Sequence, residues 1–299
     1  MHKVLIDTDP GTDDALAILM ALNSPDLLIE GITTVGGNAT LAQTTENALR
    51  LVDYAGGGRD VPIAVGADRP ARGSFSYAYH VHGAEGLGVD LPATTLKTHR
   101  ADAVDFIRDC ASSNRRRLTI IALGPLTNVA AALDGRPDIA KAIAAIVVMG
   151  GAVQVRGNIT PHAEFNIHED PWSADAVLTS GVSVTLVGLD VTQRTSLHRS
   201  EGPPWIKGTS KSARLGNRIL EGRFRERADV REYHLHDPLA VAATIEPDIL
   251  TCRRAHVSVV KDGEERGRTV ASYGDGPVNV AIGVDVERAL EVVRTLISS

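Results

Sequence analysis

Short apolar runs alternate with longer amphipathic segments along the chain, which is typical of strands alternating with helices. The β-branched runs predict strands at Val4–Ile6, Leu28–Val35, Val61–Val65, Leu118–Leu123, Ile146–Met149, Ser183–Leu189 and His256–Val260. Helical periodicity predicts helices at Asp13–Leu22, Leu41–Tyr54, Ala101–Ser112, Leu126–Leu133, Pro171–Thr179, Ser210–Ala228, Pro238–Thr244 and Val286–Ile297. Several of the strands have no polar face, as expected of a parallel sheet that helices cover on both sides. We therefore predict an α/β fold with one open, mostly parallel sheet flanked by helices.

The predicted elements form one domain that spans residues 1–299. The chain contains no internal repeat, no low-complexity tract and no Ser/Gly-rich linker that would divide it. Arg69–Leu91 is rich in Gly, Ser, Tyr and His, and we interpret it as a long loop of the kind that covers a binding site. Thr192–Arg231 is strongly charged, and we interpret it as solvated helical surface interrupted by a loop at Gly202–Pro204.

The composition is that of a water-soluble globular chain and narrows the choice of partners. Hydrophobic residues make up 43% of the 299 residues, and the net charge of −6 does not favour a nucleic-acid partner. Cys110 and Cys252 are the two cysteines, which excludes a disulfide scaffold and a cysteine-ligated zinc module. The start of the chain lacks the apolar stretch of a signal peptide, and Leu118–Leu133 is too short to cross a membrane. We expect a cytoplasmic protein without a membrane partner.

The clearest chemical signal is an acidic segment that directly follows the first predicted strand. Asp7, Asp9, Asp13 and Asp14 place four carboxylates within eight residues. Ligands of open α/β sheets bind at the carboxyl ends of the strands, where this segment lies. The mutual repulsion must be offset by protonation, by buried hydrogen bonds or by a hard cation such as Ca²⁺ or Mg²⁺. The alternative is an acidic turn that only caps a helix, but Asp7 and Asp9 are not needed for a cap.

The acidic segment does not match two known motifs that also contain closely spaced aspartates. An EF-hand loop counted from Asp7 would need Gly at its sixth position and Glu at its twelfth, where the chain has Thr12 and Ile18. An aspartyl-phosphate phosphatase of the haloacid dehalogenase type also begins with Asp-x-Asp, but it needs Thr or Val where this chain has Gly11. That class is the second choice. No phosphate-binding glycine loop and no Gly-x-Ser-x-Gly motif occurs.

Polar groups also follow other predicted strands, so they converge if the sheet is parallel. They are Gly36-Gly37-Asn38, Gly124-Pro125-Leu126-Thr127-Asn128, Met149-Gly150-Gly151, Gly157-Asn158, Glu164-Phe165-Asn166 and His234-Leu235-His236-Asp237-Pro238. Each alone is more often a turn or a cap, and Asp237 before Pro238 has the arrangement of a helix N-cap. Their joint occurrence at successive strand ends favours a binding site.

These segments together resemble a known family. Asp7-Thr8-Asp9-Pro10-Gly11-Thr12-Asp13-Asp14-Ala15 is similar to the N-terminal signature of the inosine–uridine-preferring nucleoside hydrolases. The resemblance continues through Thr33–Asn38, His82–Gly88, Gly124–Asn128 and the later segments in family order. It implies a Rossmann-like α/β domain, usually assembled as a homodimer or homotetramer, that hydrolyses free ribonucleosides to ribose and base.

The resemblance also implies a metal site and a catalytic base. Ca²⁺ would be bound by the carboxylates of Asp9, Asp14 and Asp237 and by the backbone carbonyl of Leu123. Asp9 would take a proton from a calcium-bound water that attacks the anomeric carbon. His236 is the candidate acid that assists departure of the base. Nearby carboxylates suit this chemistry because they stabilise an oxocarbenium-like centre.

Substrate contacts carry over in the same way. The ribose hydroxyls, the attacking water and the base would be contacted by Asp13, Asn38, His82, Met149, Asn158, Glu164 and Asn166. Aromatic residues that could stack on the base are harder to place, since the segment before His236 offers Trp205, Phe224 and Tyr233. Tyr77 and Tyr79 in the long loop are further candidates. The sugar half of the site is therefore better specified than the base half.

The sequence thus predicts a calcium-dependent ribonucleoside hydrolase with a pyrimidine or mixed base preference. The histidine at His236-Asp237 and the absence of an obvious tryptophan pair motivate that preference. A hydrolase of a modified riboside would have the same sugar site. A non-catalytic ribose or nucleoside sensor is the alternative of another class, and the intact Asp9 argues against it because a pure binder needs no water-activating base.

Overall fold

The computed structural model describes residues 1–55, 60–83, 86–203, 205–226 and 229–299, and for His80, His82 and Glu226 it describes the backbone alone. Its strands are β1 His2–Thr8, β2 Leu27–Thr34, β3 Ile63–Val65, β4 Leu118–Ala122, β5 Ile143–Met149, β6 Val184–Val187, β7 Ser196–His198, β8 Glu232–His234, β9 Leu250–Val259, β10 Thr269–Tyr273 and β11 Val278–Val284. Its helices are α1 Thr12–Asn23, α2 Leu41–Ala55, α3 Tyr79–His82, α4 Ala103–Ser113, α5 Thr127–Leu133, α6 Pro137–Ala142, α7 Phe165–Glu169, α8 Pro171–Leu178, α9 Leu189–Thr192, α10 Lys211–Glu226, α11 His236–Ile245 and α12 Val286–Ser298.

One mostly parallel sheet organises the described residues. Its strand order is β10-β9-β11-β6-β5-β4-β1-β2-β3, and β9 alone runs antiparallel to both of its neighbours. The pairs from β3 across to β11 are parallel. The carboxyl ends of β1, β2, β4 and β5 therefore meet at one edge of the sheet. The prediction of an open, mostly parallel sheet flanked by helices is confirmed.

Burial on both faces explains why the central strands have no polar side. In β1, Val4 and Ile6 are buried in the apolar cluster that contains α1, α11 and α12. Leu5 points the other way and is buried in the cluster that contains α4, α5 and α8. Because successive side chains of a strand face opposite sides of the sheet, a strand buried on both sides must have apolar residues at both sets of alternate positions.

The helix beginnings at the site edge are held by carboxylates. α1 follows Gly11, whose backbone N–H donates to Asp14 Oδ2 at 2.9 Å, and Asp13 and Asp14 lie in its first turn as predicted. A carboxylate in the first turn is favoured by the positive end of the helix dipole. Asp170 caps α8 by accepting from the Ser173 backbone N–H at 3.0 Å.

The predicted start of α11 was wrong by two residues, and this changes the role of Asp237. The helix begins at His236 with Leu235 at the N-cap position, so Asp237 lies inside the first turn. The N-cap alternative for Asp237 is therefore wrong. Its carboxylate is left for the site rather than for the backbone of the helix.

Other boundaries differ where burial weakens the pattern. β9 begins at Leu250, earlier than the predicted start at His256. The prediction missed this part of the strand because the residues from Thr251 to Arg254 are exposed and form no apolar run. Strands β10 and β11 were not predicted. The charged segment 192–231 was expected to be helical, but it also contains β7, which pairs antiparallel with β8 in a separate two-stranded sheet. In the predicted Ser210–Ala228 helix, residues 227 and 228 lie outside the described part of the chain.

The described residues of segment 69–91 are largely irregular, as expected, and include the helical turn α3. Ala78 and Val81 from this segment reach the cavity described below. Among the described residues, no helix combines the length and apolar character needed to cross a membrane.

Candidate active site

A cavity opens at the edge of the sheet where the predicted site residues converge. The predicted residues that line it are Asp13, Asn38, Leu123, Met149, Asn158, Glu164, Asn166, His236 and Asp237. Asp9 and Asp14 lie beside it as fully buried side chains. The side chain of His82 lies outside the described part of the structure.

Three carboxylates come close enough to share one cation. Asp13, Asp14 and Asp237 each offer an oxygen atom, and these atoms lie within 4.8 Å of one another. Two of them are neighbours in sequence at the start of α1, and the third comes from α11, more than 200 residues later. The trio could hold a metal ion. It includes Asp13, which was predicted to contact ribose, and it does not include Asp9.

Asp9 is buried next to this trio and has an oxygen without a partner. Its Oδ2 accepts from the Asn38 backbone N–H at 2.7 Å, whereas its buried Oδ1 has no hydrogen-bond partner among the described residues. A Cβ atom at Gly37 or Gly124 would clash with this carboxylate. The glycines after β2 and β4 are therefore required because the backbone approaches Asp9 closely. An orphaned buried carboxylate oxygen is costly unless a cation or water satisfies it.

The pKa values of the clustered aspartates are all raised. Burial, followed by repulsion from Asp14, raises the pKa of Asp9 well above its usual range and that of Asp13 to about 7. Burial and the charge of Asp14 also raise the pKa of Asp237 well above its usual range. Burial raises the pKa of Asp14, although its hydrogen bond from Thr8 opposes the rise. Because a nearby cation would favour the ionised forms, this donor set fits a hard, oxygen-preferring metal.

Asn38 connects two of the buried carboxylates. Its Nδ2 donates to Asp14 Oδ2 at 3.0 Å and to the Asp9 carbonyl at 3.2 Å. Thr8 Oγ1 donates to Asp14 Oδ1 at 2.5 Å. The side chain predicted to position ribose and water thus also fixes Asp9 relative to Asp14.

Asn166 connects the strand ends on the side of the cavity that was predicted to bind ribose. Asn166 Nδ2 donates to the Leu123 carbonyl at 2.6 Å and to the Met149 carbonyl at 3.3 Å, which joins the ends of β4 and β5. A carbonyl oxygen has two lone pairs, so the Leu123 oxygen can accept this bond and still serve as a metal ligand. The predicted grouping of Leu123, Met149 and Asn166 is therefore present in the fold.

Glu164 caps the short helix α7, and this buried carboxylate accepts from three backbone N–H groups. They belong to Gly151, Asn166 and Ile167, at 2.9 to 3.1 Å. Burial raises the pKa of Glu164, while these hydrogen bonds lower it. Asn158 Oδ1 accepts from the Phe165 backbone N–H at 2.9 Å. These residues line the cavity and also organise its wall.

His236 faces the other half of the cavity in a neutral state. Its Nδ1 pairs with Thr192 Oγ1 at 2.7 Å, and its ring centre is 5.6 Å from that of His234. Burial, followed by the neighbouring charge of His234, lowers the pKa of His236 to about 3. A neutral imidazole can donate one N–H hydrogen bond.

The structure separates the aromatic candidates for the base half. Tyr233 lines the cavity, and it is buried in the middle of β8. Trp205 is buried in the apolar core, and Phe224 packs against that core with Arg199 near its ring. Tyr77 and Tyr79 pair with each other at 5.6 Å and do not line the cavity. Among these five candidates, Tyr233 is therefore the one that lines the cavity.

Several lining residues were missed by the sequence analysis. They are Thr12, Ala78, Val81, Ile159, Phe165, Arg223, Glu232 and His234. Arg223 stands in an arginine-rich helix where no spacing distinguishes it from solvent-facing neighbours. Thr12 lies inside the acidic segment and His234 beside His236, so proximity to a motif was the available signal for those two.

Asp7, the first carboxylate of the acidic segment, does not line the cavity. Its Oδ1 accepts from Thr33 Oγ1 at 2.5 Å and from Asn128 Nδ2 at 2.8 Å. Burial raises its pKa to about 6 against the lowering effect of these two bonds. Asp7 therefore joins β1, β2 and α5 beneath the site.

The chain matches the family model described as "Inosine-uridine preferring nucleoside hydrolase" over residues 4–291. It is 37% identical over 310 residues to "Uridine nucleosidase 1" of Arabidopsis thaliana, covering 98% of this chain and 92% of that protein. The structure of the "Plant nucleoside hydrolase - PpNRh1 enzyme" gives a TM-score of 0.94 at 35% identity, covering 100% and 99% of the two chains. The "Purine-Preferring Ribonucleoside Hydrolase from Gardnerella vaginalis" gives 0.93 at 35% identity, covering 99% and 98%.

Proposed function

The chain belongs to the inosine-uridine preferring nucleoside hydrolase family, and from this premise we propose that it hydrolyses free ribonucleosides to ribose and base in a calcium-dependent reaction. The observation that carries the proposal is the buried, unpartnered Oδ1 of Asp9 beside the trio Asp13, Asp14 and Asp237. A carboxylate kept without a protein partner next to other carboxylates is suited to a cation and a reacting water.

The metal would be held by the carboxylates of Asp9, Asp14 and Asp237 and by the Leu123 carbonyl. All four groups are oxygen donors, which is the ligand chemistry of Ca²⁺. When bound, the ion would polarise the attacking water and bind the ribose hydroxyls. Support comes from the convergence of β1, β4 and α11 on the acidic edge of the cavity.

The residues of the chain itself carry the chemical steps. Asp9 accepts the proton of the attacking water, and Asn38 holds Asp9 and Asp14 in place for that transfer. Asp13, Asn158, Glu164 and Asn166 bind the ribose hydroxyls. Met149 packs against the sugar. The carboxylates also stabilise the positive charge that develops at the anomeric carbon. The water adds directly with inversion, because the site offers one water-activating base and no separate nucleophile.

The leaving base is contacted by side chains other than those that bind ribose. His236 was expected to act as an acid, but burial lowers its pKa to about 3, so its proposed role is to donate an N–H hydrogen bond to the base from a neutral ring. The further contact expected from His82 concerns a side chain outside the described part of the structure. We propose a pyrimidine or mixed base preference, which the similarity to a uridine nucleosidase supports. The similarity to a purine-preferring enzyme makes the base panel below the deciding test. On the family resemblance, the proposal extends to a homodimer or homotetramer, which light scattering checks.

The test is release of free ribose from a panel of ribonucleosides, each with its 2′-deoxy analogue, before and after removal of calcium. We expect release that needs the 2′-hydroxyl, stops on chelation and returns with added Ca²⁺. Turnover of no panel member, with nucleoside binding retained, would refute the hydrolase proposal and favour a sensor. Turnover of only a modified riboside would correct the substrate.

Two matched variants separate metal binding from ribose binding. Asp9→Asn is expected to weaken calcium binding measured by calorimetry and to abolish turnover. Asp13→Asn is expected to raise the inhibition constant of ribose more than it weakens calcium binding. The reverse pattern would assign Asp13 rather than Asp9 to the metal, in line with the trio Asp13, Asp14 and Asp237.

A further inference from the structure

The base half of the cavity contains one permanently positive side chain among its described lining residues, that of Arg223. We propose that Arg223 stabilises the negative charge that collects on the departing base, which adapts the site to bases that leave as anions, pyrimidines above all. This inference rests on the proposed nucleoside hydrolysis and names a catalytic group for it. A guanidinium is charged at all working pH values, so its effect does not depend on a proton being available.

The fold places this guanidinium at the cavity wall rather than in solvent. Arg223 lies on α10 and is half-buried. Its Nη1 donates to the Val81 carbonyl at 2.6 Å, which fixes the side chain against a segment that contributes to the lining of the cavity. Tyr233 and Val81 line the same cavity. The charge is therefore held at the cavity that Tyr233 also lines.

The positive charge of Arg223 affects the pKa values of two other residues that line the cavity. Burial raises the pKa of Asp13, and the positive charge of Arg223 acts against that rise. Burial also raises the pKa of Tyr233, and Arg223 again acts in the opposite direction. Arg223 is thus close enough to Asp13 and to Tyr233 for its charge to act on both, and all three residues line the cavity.

The chemistry of the leaving group explains why a cation belongs there. The bond from the anomeric carbon to the base nitrogen breaks, and its electron pair goes to that nitrogen. The attacking water forms the new carbon–oxygen bond and gives its proton to Asp9. Uracil has no basic ring nitrogen that could be protonated first, so it leaves as an anion with charge on its nitrogen and carbonyl oxygens. After departure it takes a proton from solvent, and Asp9 returns its proton to solvent.

A structural tie is the simpler role for Arg223, and the same helix supplies a control for it. Arg218 Nη2 donates to the Asp90 carbonyl at 2.7 Å, so it also joins α10 to the segment 69–91. Arg218 does not line the cavity. If tying the helix to the segment were the whole function of Arg223, the two arginines would be equivalent.

The experiment compares Arg223→Gln, Arg223→Lys and Arg218→Gln in the full-length protein with calcium present. The substrates are uridine, 5-fluorouridine and 4-nitrophenyl riboside, whose leaving groups are progressively better at carrying negative charge. Loss of one preorganised electrostatic group costs about 100-fold or more in rate. We expect Arg223→Gln to lower kcat/KM about 100-fold for uridine, less for 5-fluorouridine and least for 4-nitrophenyl riboside.

The controls decide between catalysis and structure. Arg223→Lys keeps the charge and is expected to recover part of the uridine activity, while Arg218→Gln should retain activity on all three substrates. The inhibition constant of ribose should be unchanged in Arg223→Gln, because the sugar half is intact. Equal losses on all three substrates, or equal losses in Arg218→Gln, would overturn the inference while leaving the hydrolase function standing. A parent protein that releases ribose from none of the three but from a purine ribonucleoside would overturn the inference alone. Release from no member of the ribonucleoside panel would overturn both.

Discussion

The side chain of Asn128 is expected to be a major source of stability beneath the site, and Asn128→Ala tests this. Asn128 is buried at the start of α5. Its Nδ2 donates to Asp7 Oδ1 at 2.8 Å and to the Thr34 carbonyl at 3.0 Å, and its Oδ1 accepts from the Ala67 backbone N–H at 2.9 Å. One amide thus joins the ends of β1 and β2 and the segment after β3.

The magnitude follows from these three bonds. A hydrogen bond to a charged group contributes about 1.5–3 kcal/mol, and one between neutral groups about 1 kcal/mol. Alanine would leave the Asp7 carboxylate, the Thr34 carbonyl and the Ala67 N–H without this partner in a buried place. We expect Asn128→Ala to lower the free energy of unfolding by about 4 kcal/mol.

The assay is urea unfolding of the purified protein at pH 7.5, followed by circular dichroism, with equal slopes required for a direct comparison. Thr33→Val is the matched control, because it keeps the β-branched shape and removes one bond to the same Asp7 oxygen. It should cost about 1.5–3 kcal/mol. A loss below about 1 kcal/mol for Asn128→Ala, or one no larger than that of Thr33→Val, would refute the reasoning.

Three further predictions concern the metal, the backbone and the thiols. Chelation of calcium should lower the unfolding free energy by about 2.7 kcal/mol relative to calcium at 100 times its dissociation constant, and a thermal midpoint unmoved by chelator and by added Ca²⁺ would contradict it. Gly124→Ala should lower turnover at least about 100-fold because its Cβ would displace Asp9, whereas Gly283→Ala, remote from the site, should keep activity in the ribose assay. Burial raises the pKa of Cys110 to about 11, so at pH 8 a disulfide reagent should label the exposed Cys252 first, and equal labelling rates would count against this.

The sequence alone was sufficient for the order of elements and for much of the sugar half of the site. Apolar runs that continue without a polar face predicted the central strands, because burial on two sides leaves no room for polar residues. The acidic segment from Asp7 to Asp14 was recognisable because its members are close in sequence. Asp237 was added to it by resemblance, and the structure then placed it beside Asp13 and Asp14.

The strands on the β10 side of the sheet and the base half of the site could not be predicted in this way. The exposed side chains of β9 give no continuous apolar run, and β10 and β11 escaped prediction. Arg223 and Tyr233 belong to different elements, α10 and β8, and meet only through packing. Local sequence offers no measure of that distance.

Local pattern thus determined where the strands, the helices and the acidic segment lie, because each depends on residues a few positions apart. Tertiary structure alone decided that Asp7 stabilises the strand ends while Asp9 faces the site, although both belong to the same segment. It also decided which of many arginines reaches the cavity. The physical reason is that strand order and helix packing are set by burial over the whole chain, and the positions of these side chains follow from that arrangement.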